Sequence, residues 1–446
     1  MRWILALAMI AMIPVLSRFL AEDRKWMGYS AYLLGYLPFG LLQLPLTVTP
    51  VSWAGWPGYV KGAGITLLDV LAIAIIMASG RAKFKLPLKW PFAIYFISTL
   101  FSLFTSFMID ASLLYNVQLI QIGIIYWAVA VIVFNHPHAL RNIVIGLVVG
   151  LAIQTAHAFQ MSLHGQARTG GFMGANQLGF MIYMVLLPMT GLALANISTK
   201  WSLAAIGMCA MAIVLTVSRA PTGLALVGIV LVFTGSALRC WTPHKAKITA
   251  ITMLALLAAS PFAVQKLTER INALNSIETD YDEREAFIAA TKMVIKDHPN
   301  GIGGNTFPLV ANAEGYWERA NVSWASGARF QSPHQAYYLH WAEFGLVGLV
   351  GVVIFLAASI YLCLSIAFRY RRDPRGDVIL GVGVALVMMA LHSLYEYMLF
   401  PATTQRFIAI GLGITAGLGA QMARKPKSGK KKAPAPTIRQ SVTIMR

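Results

Sequence analysis

The feature of the sequence that most constrains its fold is a succession of apolar segments of about 20 residues, separated by short polar breaks. About 20 helical residues cross a hydrocarbon core about 30 Å thick. Because unpaired backbone groups are costly in lipid, such segments must be helices, and the alternating pattern of a membrane β-barrel is absent. The sequence therefore predicts an all-α, polytopic transmembrane helical bundle of 12 or 13 spans. The predicted spans cover residues 3–16, 27–46, 65–79, 90–109, 113–134, 143–159, 178–195, 203–217, 224–238, 248–262, 344–368, 378–394 and 408–422.

The first apolar segment decides between 12 and 13 spans. Residues 3–16 are short and follow one arginine, as in a signal peptide, but no A-x-A cleavage site follows them. Arg18, Arg24 and Lys25 favour the cytoplasm. The segment is therefore either a short first span with an external N-terminus or a helix at the membrane interface.

The basic residues predict which loops face the cytoplasm. The formal net charge of +19 raises the possibility of nucleic-acid binding, but the basic residues lie in short inter-helix loops and in a terminal tail. Topology rules place such clusters in the cytoplasm, so we expect no nucleic-acid partner. The sequence thus predicts a multi-pass protein of the bacterial inner membrane, with a cytoplasmic C-terminus and the opposite loops in the periplasm. The basic clusters lie at residues 81–89, 239–247, 369–375 and 424–432.

The chain divides into five predicted segments around one large loop. This loop, at residues 265–333, falls on the periplasmic side, and long ordered loops are usually functional. Within it, residues 283–296 have acids at the start, lysines at the end and apolar residues between, which is typical of an amphipathic helix on a membrane surface. The segments are N-terminal spans (1–160), central spans (161–264), the periplasmic loop (265–335), C-terminal spans (336–423) and a disordered basic cytoplasmic tail that is attracted to anionic lipid (424–446).

Ionisable groups near the bilayer are costly, so those predicted on the external face are functional candidates. Arginine binds phosphate oxygens with two hydrogen bonds, and imidazole can accept a hydroxyl proton near neutral pH. Several arginines and a histidine on one face therefore suit a pyrophosphate substrate. The candidates are Arg168, Arg219, Arg284, His334, Glu343, His392, Glu396 and Arg406, with Asn176 and Gln177 as neutral partners.

The sequence offers no obvious metal or redox chemistry. Its three cysteines are Cys209, Cys240 and Cys363, which lie in predicted spans or a cytoplasmic loop and form no C-x-x-C pair. No D-x-D or H-E-x-x-H motif is present. We therefore expect no metal ligands, no cofactor and no disulfide framework.

Three motifs in order along residues 201–351 resemble the O-antigen ligase and polysaccharide polymerase superfamily. The first is T-V-S-R-A-P-T-G at 216–223, similar to the family's S-R-[GA] signature. The second begins at Arg284 and continues through D-H-P at 297–299 to G-I-G-G-N-T-F at 301–307. The third is S-P-H-Q-A-Y-Y-L at 332–339, with Glu343, Gly345 and Gly348, similar to H-N-x-Y-L…E-x-G-x-x-G. Upstream, G-G-F at 170–172 and A-N-Q-L at 175–178 resemble a further pattern of the family.

The resemblance implies a metal-independent membrane glycosyltransferase that uses a glycan linked to undecaprenyl pyrophosphate. His334 would be the catalytic residue that orients or deprotonates the acceptor hydroxyl. Arg219 and Arg284 would bind the pyrophosphate, with Arg168 as a third cation. Because sugar rings stack on aromatic side chains, Tyr337 is a candidate for the acceptor path. The implied partners are the carrier-linked glycan donor, a glycan or lipid acceptor, and membrane lipids.

Structural interpretations stand beside these functional ones. Asn176 is interpreted as a helix cap, and Glu343, His392, Glu396 and Arg406 as a structural polar network between the last spans. The acceptor stays open: lipid A core in a ligase, another carrier-bound repeat in a polymerase, or a protein hydroxyl in an O-oligosaccharyltransferase. A transporter of lipid-linked glycans is the alternative from another class. The crowding of candidates on one face favours an enzyme.

Overall fold

The computed structural model describes residues 1–80, 85–166, 168–216, 218–254, 257, 268 and 283–424. Within these ranges, nine helices are long and apolar enough to cross a membrane. The predicted all-α polytopic bundle is thereby confirmed. The helices are α1 (Arg2–Glu22), α2 (Arg24–Gln43), α3 (Leu67–Ala78), α4 (Lys89–Phe101), α5 (Ile109–Asn135), α6 (Ala139–Leu163), α7 (Ala175–Leu194), α8 (Thr199–Thr216), α9 (Arg219–Arg239), α10 (Glu283–Asp297), α11 (Phe307–Ala313), α12 (Tyr316–Arg319), α13 (Ala336–Arg369), α14 (Arg375–His392) and α15 (Ala402–Ala423).

The nine membrane-crossing helices are α1, α5 to α9 and α13 to α15, and each coincides with a predicted span. Three further predicted spans correspond to α2, which is less apolar, and to α3 and α4, which have 12 and 13 residues. Of the predicted span at 248–262, the structure describes residues 248–254 and 257, which are helical, whereas the tail beyond Arg424 and part of the large loop lie outside the described residues. Nine predicted spans are therefore confirmed as helices of membrane-crossing length within the described residues, and the count of 12 or 13 stays a prediction.

A small antiparallel ribbon, which the sequence did not predict, joins α2 to α3. Its strands are β1 (Thr47–Ser52) and β2 (Gly62–Thr66). The guanidinium of Arg2 donates to Ser52 Oγ at 2.8 Å, so the start of α1 lies beside the ribbon. The connection between the strands reaches the large loop, because the backbone N–H of Val60 donates to Asn305 Oδ1 at 2.8 Å. The ribbon thus ties the N-terminal helices to the large loop.

Helix α13 is kinked at Gly345, whose φ of 66° and ψ of −174° are not helical. The kink leaves the carbonyls of the preceding turn free of their usual helical partners. The carbonyl of Ala342 instead accepts from Ile302 N at 3.0 Å, and that of Glu343 accepts from Gly303 N at 2.9 Å. A glycine is needed at 345 because a Cβ there would lie 2.7 Å from the Asn300 carbonyl oxygen. The loop segment 300–306 therefore packs against the kink and is hydrogen-bonded to it.

The buried carboxylate of Glu343 completes this junction. It is fully buried and accepts from the backbone N–H groups of Thr306 at 3.1 Å and Phe307 at 3.0 Å, which begin α11. It also accepts from the Tyr59 hydroxyl at 2.6 Å. Burial and the neighbouring Glu343 carboxylate raise the pKa of Tyr59, which keeps the phenol a donor. The segment at 301–307 and the E-x-G motif at Glu343 therefore form one joint between the loop and the bundle.

A buried ion cluster closes the opposite end of the bundle, which we call the basic end. Asp377 at the start of α14 forms an ion pair with Arg239 and another with Lys245 at 2.8 Å, and it accepts from Ser236 Oγ at 2.8 Å. All of these side chains are nearly or fully buried. Paired in this way, the charges tolerate burial that would be costly for any one of them alone. The cluster brings two of the predicted basic groups, 239–247 and 369–375, to the same end.

Helix α10 is present where the acidic start and basic end predicted a helix, but its apolar face does not lie on a membrane surface. Phe287, Ala290 and Val294 are buried within the protein. The ring of Phe287 packs against Trp317 of α12 with centroids 5.2 Å apart. The interpretation as a surface helix in lipid is therefore wrong, because the apolar stripe is already covered by protein.

We predict that Gly345→Ala lowers thermal stability. The variant forces an alanine into a backbone conformation that glycine alone adopts readily and places its Cβ against Asn300, at a cost on the order of 1–3 kcal/mol or more. Thermal unfolding of the purified protein, followed by intrinsic fluorescence, measures the loss. Gly223→Ala is the matched control, since a Cβ there meets nothing within 4 Å and alanine favours the helix. Equal stability of the two variants would contradict the assigned role of the kink.

Candidate functional site

The candidate site lies at the bundle end opposite to the buried ion cluster, where five elements meet. His334 lies two residues before α13, Arg284 lies in the first turn of α10, and Asn176 lies in the first turn of α7. Glu396 belongs to the 393–401 connection between α14 and α15, and Arg168 to the connection before α7. Connections placed by rigid helices are common positions for functional side chains. We call this the site end.

Glu396 is the centre of the site. One carboxylate oxygen lies 2.8 Å from His334 Nδ1. The other accepts from Arg284 Nη2 at 3.1 Å and from Asn176 Nδ2 at 3.4 Å. The side chain of Glu396 is only 6% exposed, so its charge is compensated by these neighbours more than by water. One carboxylate therefore joins three elements of the bundle.

The imidazole of His334 packs against two aromatic rings and forms a hydrogen bond through one of its nitrogens. Its ring centroid lies 5.7 Å from that of Phe287 and 5.8 Å from that of Tyr397. The Nδ1 atom is bonded to Glu396, whereas Nε2 has no hydrogen-bond partner among the described residues. Burial and the charge of Glu396 raise the pKa of the adjacent Tyr397 phenol, so this neighbour stays neutral. The ring is therefore fixed by contacts on both faces and at Nδ1, while Nε2 makes no hydrogen bond to a described residue.

Arg168 joins the cluster through Asn176. Its Nη2 donates to the amide oxygen of Asn176, and its Nε donates to the Thr216 carbonyl at 3.3 Å. Asn176 does not cap α7, because the capping residue is Gly174 and no side chain caps it. The interpretation of Asn176 as a cap is therefore wrong. Its amide instead links Arg168 to Glu396.

Arg219 lies at the same end without being bonded to the cluster. It is the first residue of α9, three positions after the Thr216 carbonyl that Arg168 contacts. The side chain is exposed, and it has no hydrogen bond or ion pair to any described residue. Its proposed role in phosphate binding stays a prediction.

Tyr337 makes a hydrogen bond that joins α13 to α14. Its hydroxyl donates to the Ala390 carbonyl of α14 at 2.9 Å, and the ring is half-buried. The structure thus gives this side chain a packing role, and an aromatic contact with the acceptor stays a prediction.

The four residues interpreted as one structural network separate into different surroundings. Glu343 belongs to the loop joint described above, and His392 Nδ1 lies 3.1 Å from the Tyr183 hydroxyl. Arg406 lines a separate cavity of about 340 Å³ beside the ribbon. Of these four side chains, only that of Glu396 is hydrogen-bonded to candidate residues, although the carbonyl of His392 also accepts from the Glu396 backbone N–H at 3.0 Å.

The comparison with known families supports the predicted superfamily. Residues 203–353 match a family model described as O-antigen ligase. Over these residues the chain resembles an O-antigen ligase domain. The predicted superfamily is thereby confirmed, and members of this family are glycosyltransferase-like membrane enzymes. No curated protein matches the chain.

The segment that matches the family model, residues 203–353, holds only part of the candidate site. His334, Arg219 and Arg284 lie inside the matched residues, whereas Arg168, Asn176 and Glu396 lie outside them. The cluster is therefore assembled by the domain together with α7 and the last two spans. In the described parts of the chain, no group of three or more His, Cys, Asp or Glu residues is arranged to hold a metal ion.

We predict that diethyl pyrocarbonate modifies His334 and spares His340. The reagent needs an accessible, unprotonated ring nitrogen. His334 is 20% exposed with a free Nε2, whereas His340 is fully buried with both ring nitrogens in contact. Peptide mass spectrometry after brief treatment gives both rates, with exposed His164 as the reference. Equal labelling of His334 and His340 would contradict the placement of the ring.

Proposed function

We propose that this protein transfers a glycan from undecaprenyl pyrophosphate to an acceptor hydroxyl at the periplasmic face of the bacterial inner membrane. The observation that carries the proposal is an imidazole bonded to a carboxylate at Nδ1, with Nε2 free and two arginines tied to the same cluster. This arrangement supplies a proton acceptor and an anion site within one group of contacts. A match to a family of glycosyltransferase-like enzymes supports the same reaction class.

His334 is the proposed general base. Its Nδ1–H donates to Glu396, so the lone pair lies on Nε2 and points away from the carboxylate. Packing between Phe287 and Tyr397 limits rotation of the ring. Glu396 is a positioning residue in this scheme, since it sets the tautomer and stabilises the imidazolium that forms.

The arginines are the proposed binding groups for the pyrophosphate. The guanidinium groups of Arg168, Arg219 and Arg284, together with the Glu396 carboxylate, leave an excess of two positive charges when the imidazole is neutral. A pyrophosphate diester carries two negative charges, so the group matches it in sign and size. Arg219 is exposed at the start of α9, where the helix dipole also favours an anion.

In the proposed step, the acceptor oxygen attacks the anomeric carbon of the donor sugar. The bond between that carbon and the pyrophosphate oxygen breaks, and the hydroxyl proton moves to Nε2 of His334. The departing undecaprenyl pyrophosphate keeps the electron pair, and its increased negative charge is stabilised by the arginines. No divalent cation is required in this scheme.

The acceptor separates three versions of the enzyme. A ligase uses lipid A core, a polymerase uses another carrier-bound repeat, and an O-oligosaccharyltransferase uses a protein hydroxyl. Reconstitution into proteoliposomes with a labelled carrier-linked glycan, each acceptor in turn and no divalent metal identifies the product. Glycan that crosses the membrane without forming a new glycosidic bond would favour the transporter instead. Transfer that requires added Mg²⁺ or Mn²⁺ would contradict the arginine-based scheme.

We predict that His334→Ala lowers the transfer rate by about 10²–10⁴-fold, because the general base is lost. Glu396→Gln should also lower it strongly, since the amide neither stabilises imidazolium nor fixes the tautomer. Single-turnover transfer in proteoliposomes measures both rates, with exposed His164→Ala as the matched control. Glu396→Asp should restore part of the rate if the carboxylate acts through the imidazole. Full activity of His334→Ala would refute the assignment.

We predict that Arg219→Gln weakens donor binding without changing thermal stability. The side chain has no partner in the described residues, so its removal breaks no contact of the fold there. Loss of one charge-assisted contact to phosphate should lower affinity about tenfold or more. Titration with carrier-linked glycan gives the affinity, and Arg372→Gln removes an exposed arginine at the basic end as a control. An unchanged donor affinity would remove Arg219 from the site.

A further inference from the structure

A second cationic cavity lies at the basic end, away from the candidate site. It has a volume of about 550 Å³ and is formed where α5 and α15 end and α6 begins. Its size falls within the range of small-molecule sites, about 300–1,000 Å³. The lining residues that matter here are Phe134, His136, Arg141, Arg375, Gln421 and Arg424.

The arginines of this cavity differ in whether their positive charge is paired with an acidic side chain. Arg375 is paired with Asp373, with Nη2 to Oδ2 at 2.6 Å and Nε to Oδ1 at 2.9 Å, and it also donates to Gln421 Oε1 at 3.1 Å. The Arg424 guanidinium lies over the Phe134 ring at 3.9 Å from its centroid. Arg141 is exposed and has no hydrogen bond or ion pair to a described residue. Two guanidinium groups at the rim therefore lack an acidic partner within the described ranges.

The local field at the cavity is positive. His136, in the short connection between α5 and α6, has a lowered pKa because of its burial and the nearby charge of Arg24. The imidazole thus stays neutral beside the arginines and can donate or accept a hydrogen bond. An anion entering the cavity would meet cations without giving up an existing ion pair of Arg141 or Arg424 in the described structure.

The inner wall of the cavity is apolar. Val133, Leu140, Ile197 and Leu418 contribute side chains to it, and Leu418 is nearly fully buried. A site with an arginine rim and an aliphatic wall is suited to an amphiphile, because a free phosphate has no group to place against the wall. Its position at the ends of spanning helices is the level at which lipid headgroups lie.

We propose that this cavity binds the phosphate of an anionic phospholipid, with Arg141 and Arg424 on the phosphate oxygens and the glycerol region against the aliphatic wall. Basic cavities between spanning helices suit such headgroups, and arginine provides paired donors for phosphate. The proposal does not depend on glycan transfer, since the cavity and the candidate site lie at opposite ends of the bundle.

Native mass spectrometry of the detergent-solubilised full chain tests the proposal with cardiolipin, phosphatidylcholine and inorganic pyrophosphate as probes. We expect cardiolipin adducts that persist at collision energies which remove phosphatidylcholine. Pyrophosphate should not displace cardiolipin at equal concentration. Equal retention of phosphatidylcholine would overturn the requirement for an anion. Displacement by pyrophosphate would overturn the assignment to a lipid.

Two variants with a matched control locate the bound lipid. Arg141→Gln combined with Arg424→Gln should lower cardiolipin affinity about tenfold or more, as expected for lost charge-assisted contacts. Lys247→Gln combined with Arg372→Gln removes the same charge from exposed positions outside the cavity and should leave the affinity unchanged. Ile197→Trp keeps every cation, fills the cavity and should abolish tight binding. Equal losses in the two double variants, or unchanged binding in Ile197→Trp, would overturn the proposal.

Discussion

The arrangement of the site depends on one buried carboxylate that is not itself part of it. Glu343 binds the first backbone N–H groups of α11 and the Tyr59 hydroxyl, at a point where α13 is kinked and its carbonyls receive the loop. Because His334 lies two residues before the same helix and Arg284 lies on the other side of the joined loop, their relative position follows from this joint. A fully buried acid is costly unless its oxygens accept hydrogen bonds, and here three donors bind the two oxygens of Glu343.

The site itself uses a single carboxylate for two purposes. Glu396 orients the imidazole through one oxygen and holds Arg284 and Asn176 through the other. Arg284 is 55% exposed, so its pairing with Glu396 is partly screened by water and is modest in strength. In the proposed reaction, the donor diphosphate would compete with a partly screened ion pair, while the more buried bond to His334 would be retained.

The sequence predicted the helices better than the contacts that the helices and loops make with one another. Hydropathy located the nine long apolar helices, and charge order located α10, because both signals are local. Glu396 could not be assigned in this way, since its partners lie 62, 112 and 220 residues away and no matched motif includes it. The ribbon was missed because its second strand has two glycines in five residues, a composition typical of a loop. The apolar face of α10 likewise predicted burial but not whether lipid or protein covers it.

The buried ion cluster at the basic end has a consequence for how the chain enters its membrane. Arg239 and Asp377 are 138 residues apart in the sequence, and each is an isolated charge until the other arrives. During synthesis the end of α9 must therefore remain in contact with water or headgroups until α14 has been inserted. The buried ion cluster therefore forms late in biogenesis. The middle third of the polypeptide cannot be stably buried at this end until the last third has been inserted.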